Sequence, residues 1–368
     1  MNMNFHMPTK VITGRDCVKN SAAELRALGG RALLVTGASS AKKSGALKDV
    51  TGALNAAGIA FGVFDGIAQN PTVLSCLEAG KLAAETGADF IIGIGGGSPL
   101  DAAKAVAVAA ANPGITIDGL YSLDWANLPL PVVTVGTTAG TGSEVTPVSV
   151  LTTPEGIKRS IRDARIYPAL ALGDPSYTVS MPELFTRSTA IDAMAHCVES
   201  YFSRAANDIS KAHAVRGVRI LNDVFARMVK PGYSLTWDDR EALYNASLYG
   251  GFAISSIGTA LPHALGYFLS ERHGVPHGTA CAVYLPAFIR HNEQCEPALT
   301  EVFFSETGMA RQDFLQTLAV ITPACDVKLT VAERESLRPR WMNNGSLMKT
   351  WGDVTPDVAD AILAELFS

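Results

Sequence analysis

Phe90-Ile91-Ile92-Gly93-Ile94-Gly95-Gly96-Gly97-Ser98-Pro99-Leu100-Asp101 is the stretch on which the fold turns. Its apolar opening reads as a buried strand, the successive glycines as a turn, and the alanine-rich segment 102–111 as the helix that follows. Strand, glycine turn and helix start in that order aim backbone N–H groups, with no side chains in the way, at the positive end of a helix dipole. That arrangement suits a pyrophosphate, which makes Gly95, Gly96, Gly97, Ser98 and Asp101 candidate cofactor contacts. A bare strand-to-helix turn needs fewer glycines. The stretch is neither Gly-x-Gly-x-x-Gly nor a Gly-Lys-Ser/Thr loop, so the common dinucleotide fingerprint and a nucleotide-hydrolysing loop do not apply.

Working outward, the first half alternates short apolar runs with helical patterns, the signature of parallel strands joined by crossover helices. Strands are expected at 32–36, ending at Gly37, and at 60–64, with a helix at 44–58 between them. Asn70-Pro71-Thr72 turns into a helix at 73–86. A strand at 132–135 leads into Thr137-Thr138-Ala139-Gly140-Thr141-Gly142-Ser143-Glu144, a loop of hydroxyls and glycines able to bond phosphate, ribose or a carboxamide. An edge hairpin carrying Lys158 is expected at 152–165, and a last strand at 169–175.

From Ser180 the pattern is helical. Ser180 with Glu183 reads as a capping box, with Pro182 in the first turn of a helix running to about residue 202. Further helices are expected at 211–228, 238–254 and 260–269, the last started or kinked by Pro262, and a loop from His273 to Gly278 precedes the next. The boundary falls near residue 178. It separates an α/β dinucleotide-binding domain with a parallel sheet, 1–178, from an all-α domain, 179–368.

Asp192 and His196 stand four apart on the first of these helices, hence on one face. His263 and His277 follow downstream. Together they would complete a mixed oxygen and nitrogen set suited to iron(II) or zinc. Alone, an Asp–His pair at this spacing is commonly no more than a solvated or hydrogen-bonded pair; the nucleotide features of the first half give it weight.

The 368 residues are 48% hydrophobic and 18% charged with a net charge of −5, enough apolar content for a large core and no block of Lys and Arg to footprint nucleic acid or anionic lipid. A small-molecule substrate is the expectation. The apolar stretch 88–111 is broken by glycines, Pro99, Asp101 and Lys104 and is no membrane span. Six scattered cysteines without Cys-x-x-Cys spacing, and a start lacking a signal-peptide pattern, fit reduced thiols in a cytoplasmic protein.

The four motifs in order, Gly95-Gly96-Gly97-Ser98-Pro99-x-Asp101, Thr137-Thr138-x-Gly140-Thr141-Gly142-Ser143-Glu144, Asp192-x3-His196 and His263-x13-His277-Gly278, resemble the iron-containing (group III) alcohol dehydrogenase family. The resemblance implies a dehydroquinate-synthase-like fold and a metal held by Asp192, His196, His263 and His277 in a cleft between the domains. It implies hydride transfer between NAD(P)(H) and a primary alcohol or aldehyde, and a homo-oligomer, dimer or larger. On the cofactor side it points to Gly37, Ser39, Ser40, Asn70, Thr137, Thr138, Thr141 and Lys158 beside the glycine turn. Many members carry a second histidine four residues after the third ligand; Tyr267 stands there, leaving Tyr267, His273 or water for a proton relay. NAD-preferring relatives carry an Asp after the first strand that binds the adenosine ribose. Gly37, followed by Ser39, Ser40, Lys42 and Lys43, favours NADP(H) instead. The runner-up is a lyase like dehydroquinate synthase, but that family has a Glu, His, His metal set and a denser basic phosphate pocket. Residues 290–340 match the family pattern poorly and look shortened.

Overall fold

The structure, a computed structural model, describes residues 5–368. It separates into two compact units, residues 6–181 on one side and residues 182–368 with Phe5 on the other.

The first unit runs β1 (Lys10–Thr13), α1 (Ala22–Arg26), β2 (Arg31–Thr36), α2 (Ser40–Lys43), α3 (Ala46–Ala56), β3 (Ala60–Phe64), α4 (Val73–Thr86), β4 (Phe90–Gly95), α5 (Gly97–Ala111), α6 (Ile117–Ser122), β5 (Val132–Gly136), β6 (Val148–Thr152), β7 (Lys158–Arg162) and β8 (Leu170–Gly173). Six strands form a parallel sheet in the order β1-β8-β5-β4-β2-β3. Both faces are covered. Leu33, Val35 and Ile91 point to a cluster with α4 and α5, while Ala32, Leu34, Ile92 and Ile94 point to another with α1 and α3. Burial on both sides explains why the central strands read as continuous apolar runs rather than alternating ones. β2 has β3 on one side and β4 on the other, so the winding direction reverses between β2 and β4. The crevice beyond the carboxyl ends of such strands is where open α/β sheets bind ligands, and Gly37 and the glycine turn lie there.

Two expectations need correction here, and one strand is added. The helix after the glycine turn begins at Gly97, not residue 102, so Ser98, Pro99 and Asp101 belong to its first turns. The hairpin begins at Val148 rather than 152 and forms its own two-stranded antiparallel sheet, linked to the rest by a single bridge from Thr152 to Thr72. β1, which pairs with β8, is an additional strand that the pattern did not reveal; four half-exposed residues carry little periodic signal.

The second unit is helical: α7 (Glu183–Tyr201), α8 (Asp208–Met228), α9 (Trp237–Ile257), α10 (Leu261–Arg272), α11 (His277–Ala282), α12 (Leu285–Cys295), α13 (Pro297–Thr307), α14 (Arg311–Ile321), α15 (Val331–Trp341) and α16 (Pro356–Phe367). α7 is its axis. Every residue from Ala190 to Tyr201 is buried, enclosed by α8, α9 and α11. The expected capping box at its start does not form: Pro182 is the N-cap and makes no side-chain cap. Pro262 lies in the first turn of α10, where a missing N–H costs nothing. Among the described residues no single helix is long and apolar enough to cross a membrane, and the pair α9–α10 that together reaches that length is bent by 108°.

One buried cation organises the first unit. Lys104, on α5 below the glycine turn, is fully buried, and its ammonium donates to Ser143 Oγ at 2.7 Å, Val148 O at 2.8 Å and Thr146 Oγ1 at 3.3 Å. Asp101 stands 3.6 Å away, accepting from Ser143 Oγ at 2.5 Å and from the Val150 N–H at 2.9 Å. Helix, threonine loop and hairpin are thereby joined. Burial pushes the Lys104 ammonium down to about 8, against the pull of Asp101 and Glu144. This folded value lies below the ordinary 10.5, so between the two the unfolded chain binds the extra proton and stability rises with pH. Urea unfolding should show wild type gaining up to about 3 kcal/mol on Lys104→Met from pH 8 to 10.5; a pH-independent difference would refute the desolvated ammonium.

Candidate metal centre and cofactor loops

α7 presents Asp192, His196 and Glu199 at i, i+4 and i+7, one stripe of a helix otherwise sealed in apolar side chains. α10 brings His263 to this stripe and α11 brings His277, the first residue of its helix. Gly278 makes the approach of α11 possible, because a Cβ there would overlap the carbonyl oxygen of Ser188 and crowd Asp192 Cβ. The Thr279 N–H and hydroxyl then donate to Ser188 Oγ, both at 3.2 Å.

The ligating atoms of Asp192, His263, His277 and Cys281 all lie within 4.8 Å of one another. The His196 ring stacks on His263 at 4.7 Å between centroids, inclined by 20°. His263 Nε2 and Asp192 Oδ1 are 3.6 Å apart, too far for a hydrogen bond, and neither has another hydrogen-bond partner although both are buried. An orphaned pair of this kind is costly unless something else binds it. Two oxygen or nitrogen donors bound tetrahedrally to one divalent ion stand about 3.4 Å apart, so the spacing fits a shared cation.

Glu199 was not among the residues singled out from the sequence, yet it sets the orientation of His263. Its Oε1 accepts from His263 Nδ1 at 2.5 Å and its Oε2 from the Ala260 N–H at 2.5 Å. With Nδ1 held, Nε2 is the nitrogen turned toward Asp192, the carboxylate–imidazole arrangement that orients metal-binding histidines elsewhere. The i+7 spacing from Asp192 was the available signal. Burial pushes the Asp192 carboxyl upward, but His196, His277 and His263 outweigh it and hold it well below the usual carboxylate range. Burial pushes His263 down, and Cys281, Glu199 and Asp192 raise it above its ordinary value. A divalent ion bound here would compete with a proton for His263.

Tyr267 lies beside the group, stacked on His277 at 5.7 Å and edge-on to His263 at 6.4 Å. His273 does not join it; that ring is exposed at the end of α10 and meets Phe268 edge-on. A histidine four residues before His277 is separated from it by a glycine and a proline that let the chain leave the helix, so the spacing carries no shared face. Around the group, Leu261 and Phe268 are fully buried.

In the first unit the glycine turn and the threonine loop touch. A Cβ on Gly97 would stand 2.8 Å from Thr141 Cγ2, and one on Gly96 3.1 Å from Thr138 Cγ2. The Thr137 N–H donates to Gly95 O at 2.8 Å. Ser98 Oγ accepts from the Asn70 N–H at 3.2 Å, and Thr152 Oγ1 donates to Asn70 O at 3.3 Å. Lys158 pairs with Thr152 at the end of the hairpin, which places it in this neighbourhood. Asp101 works from beneath, both carboxylate oxygens being engaged by Ser143 and Val150. Ser39 and Ser40 are exposed at the start of α2, and Gly37 follows β2. The bare backbone at Gly96 and Gly97, at the N-terminus of a fifteen-residue helix, fits a dinucleotide's phosphates.

Replacing Glu199 by Gln keeps the shape and removes the charge behind His263. Competition with a chelator should find metal affinity weakened about 10–100-fold; affinity within twofold of wild type would dismiss Glu199 as a positioning residue.

Comparison with known proteins identifies the family. Residues 8–175 match the family profile described as iron-containing alcohol dehydrogenase, and residues 186–338 match its C-terminal counterpart. The chain is 35% identical to a 1,3-propanediol dehydrogenase of Citrobacter freundii over 304 residues, 80% of this chain and 75% of that protein. It is 29% identical to an NAD-dependent methanol dehydrogenase of Bacillus methanolicus over 77% of this chain and 74% of that one. The crystal structure of an iron-containing alcohol dehydrogenase from Thermotoga maritima, 35% identical, superposes over 99% of both chains with a TM-score of 0.91. The C-terminal family profile extends to residue 338, through most of the segment 290–340. The chain catalyses alcohol and aldehyde redox chemistry and belongs to the iron-containing alcohol dehydrogenase family.

Proposed function

We propose that the chain reduces short to medium aldehydes to primary alcohols with NADPH, using a divalent ion, iron(II) in first place and zinc in second, held by Asp192, His196, His263 and His277. The observation that carries this reading is the donor group that brings Asp192, His263 and His277 together, with its orphaned Asp192 Oδ1 and His263 Nε2; His196 is not among the atoms gathered there and adjoins the group by stacking on His263. Bound there, a divalent ion supplies Lewis-acid polarisation of a carbonyl oxygen, and a nicotinamide supplies the hydride. The residues do the rest. Asp192 contributes the compensating negative charge, Glu199 holds His263 in one orientation, and Tyr267, flat against His277, stands where a proton would be passed. Gly96 and Gly97, packed against Thr138 and Thr141 at the N-terminus of α5, offer the phosphates a helix start, while Lys104 and Asp101 hold the loop behind them. No observation favours the lyase alternative.

The NADP(H) preference rests on Gly37, where no carboxylate is present to repel a 2′-phosphate. Lys42, expected to help, is paired with Asp65 at 2.8 Å, both side chains more than half exposed. Such a pair is worth about 0–1 kcal/mol and yields readily to a phosphate. The Bacillus methanolicus relative is described as NAD-dependent, so this preference is a property of the present chain's Gly37 rather than an inheritance from that relative.

Steady-state reduction of an aldehyde panel should give a higher kcat/KM with NADPH than with NADH. Gly37→Asp should invert the order, with Gly37→Ala as steric control because a Cβ there comes 3.1 Å from Ile67 O. A higher kcat/KM for wild type with NADH would overturn the reading of Gly37. Asp192→Ala and His277→Ala should each lose bound metal by elemental analysis and lose turnover, with far-ultraviolet circular dichroism retained; wild-type turnover in a metal-free variant would refute the assigned ligands.

A further inference from the structure

A cavity of about 250 Å³ lies in the second unit where the first residue of α7, the end of α8 and the chain entering α9 meet. Glu183, Met228, Tyr233, Ser234, Leu235 and Arg240 line it. Glu183 stands about two and a half turns before Asp192 on α7, about 14 Å along its axis, so the cavity is separate from the metal centre. Its charges do not cancel. Glu183 Oε1 is held by Arg187, at 3.0 Å from Nε and 2.9 Å from Nη2. Asp239 is saturated: Oδ1 accepts from Arg227 at 2.7 and 2.9 Å, and Oδ2 accepts from the Tyr233 hydroxyl at 2.5 Å and from the N–H and hydroxyl of Thr236 at 2.8 Å. Arg240 is left over. Its guanidinium is partly buried, no acidic side chain pairs with it among the described residues, and its Nη1 donates to the neutral Thr186 Oγ1 at 3.0 Å.

A guanidinium withdrawn from water without a counter-charge is costly, and a carboxylate is the partner whose two oxygens match its fork. Burial lowers the Arg240 pKa, and no neighbouring carboxylate offsets it. The walls choose among anions. Met228 and Leu235 offer aliphatic surface, while Glu183 at the open rim, its side chain 73% exposed, opposes a second negative charge. The volume, below the roughly 300 Å³ at which pockets for drug-sized ligands begin, admits only a small molecule. We propose that this cavity binds a short aliphatic monocarboxylate, its carboxylate on the Arg240 guanidinium and its hydrocarbon chain against Met228 and Leu235.

The test titrates the full-length protein with sodium butyrate and reads binding by saturation-transfer NMR. Wild type and Asp192→Ala are both used, so that a carboxylate drawn to the metal centre is not counted; both should bind butyrate. Arg240→Gln should weaken that binding about tenfold or more in either background. Leu235→Glu, which sets another carboxylate in the cavity and leaves the guanidinium intact, should do the same. Circular dichroism identifies a variant that has not folded, and the folded one then decides. Inorganic phosphate should displace butyrate only at about tenfold higher concentration or above. Absence of binding to Asp192→Ala, or affinity within twofold of its parent in a folded cavity variant, overturns the site. Phosphate displacing butyrate at equal concentration overturns the aliphatic monocarboxylate as its ligand.

Discussion

A carboxylate inside a helix that is buried on every side is the constraint from which the second unit follows. Asp192 has no water to solvate it, and an isolated buried charge costs several kcal/mol. The fold answers by converging cations and donors on it: His196 from the next turn of α7, His263 from α10 and His277 from α11. Each must arrive within ångströms, which explains why α11 lies against α7 with only the hydrogen of Gly278 between them. Glu199 would be a second uncompensated charge were it not tied to His263 and to the start of α10 through Ala260. Removing any member leaves another buried polar group exposed to the same penalty, and the group behaves as a unit.

The first unit is organised by the opposite charge in the same way. Lys104 is an ammonium without solvent, and three oxygens from the 143–148 segment close around it. That enclosure fixes the threonine loop against α5, and with it the contact between the loop and the bare glycines of the phosphate cradle. In both units, therefore, a functional surface is kept rigid by a buried ion whose neutralisation requires several chain segments to meet.

Much of this was legible in the sequence because burial writes itself as periodicity. The central strands are apolar on both faces, so their runs are unmistakable, and the helices 73–86 and 60–64 strand fall where the pattern puts them. What was lost is whatever depends on partners far along the chain. β1 is visible only through β8, and Ser180 is a good capping residue that the chain leaves unused because Pro182 takes the position. His273 and His277 look equivalent by type, and only the close packing of α11 on α7 separates them. Glu199 was overlooked because its spacing, i+7 from a named residue, is also the spacing of ordinary core positions.

The members of the donor group differ in one respect that bears on traffic rather than on binding. Asp192, His263 and Cys281 are sealed, and His277 alone is partly open to the outside. The partly exposed edge of the group therefore belongs to a helix only six residues long. Loosening of so short a helix would open the sealed donors to solvent, so the local stability of α11 bears on how fast the centre fills or empties, separately from how tightly its donors hold.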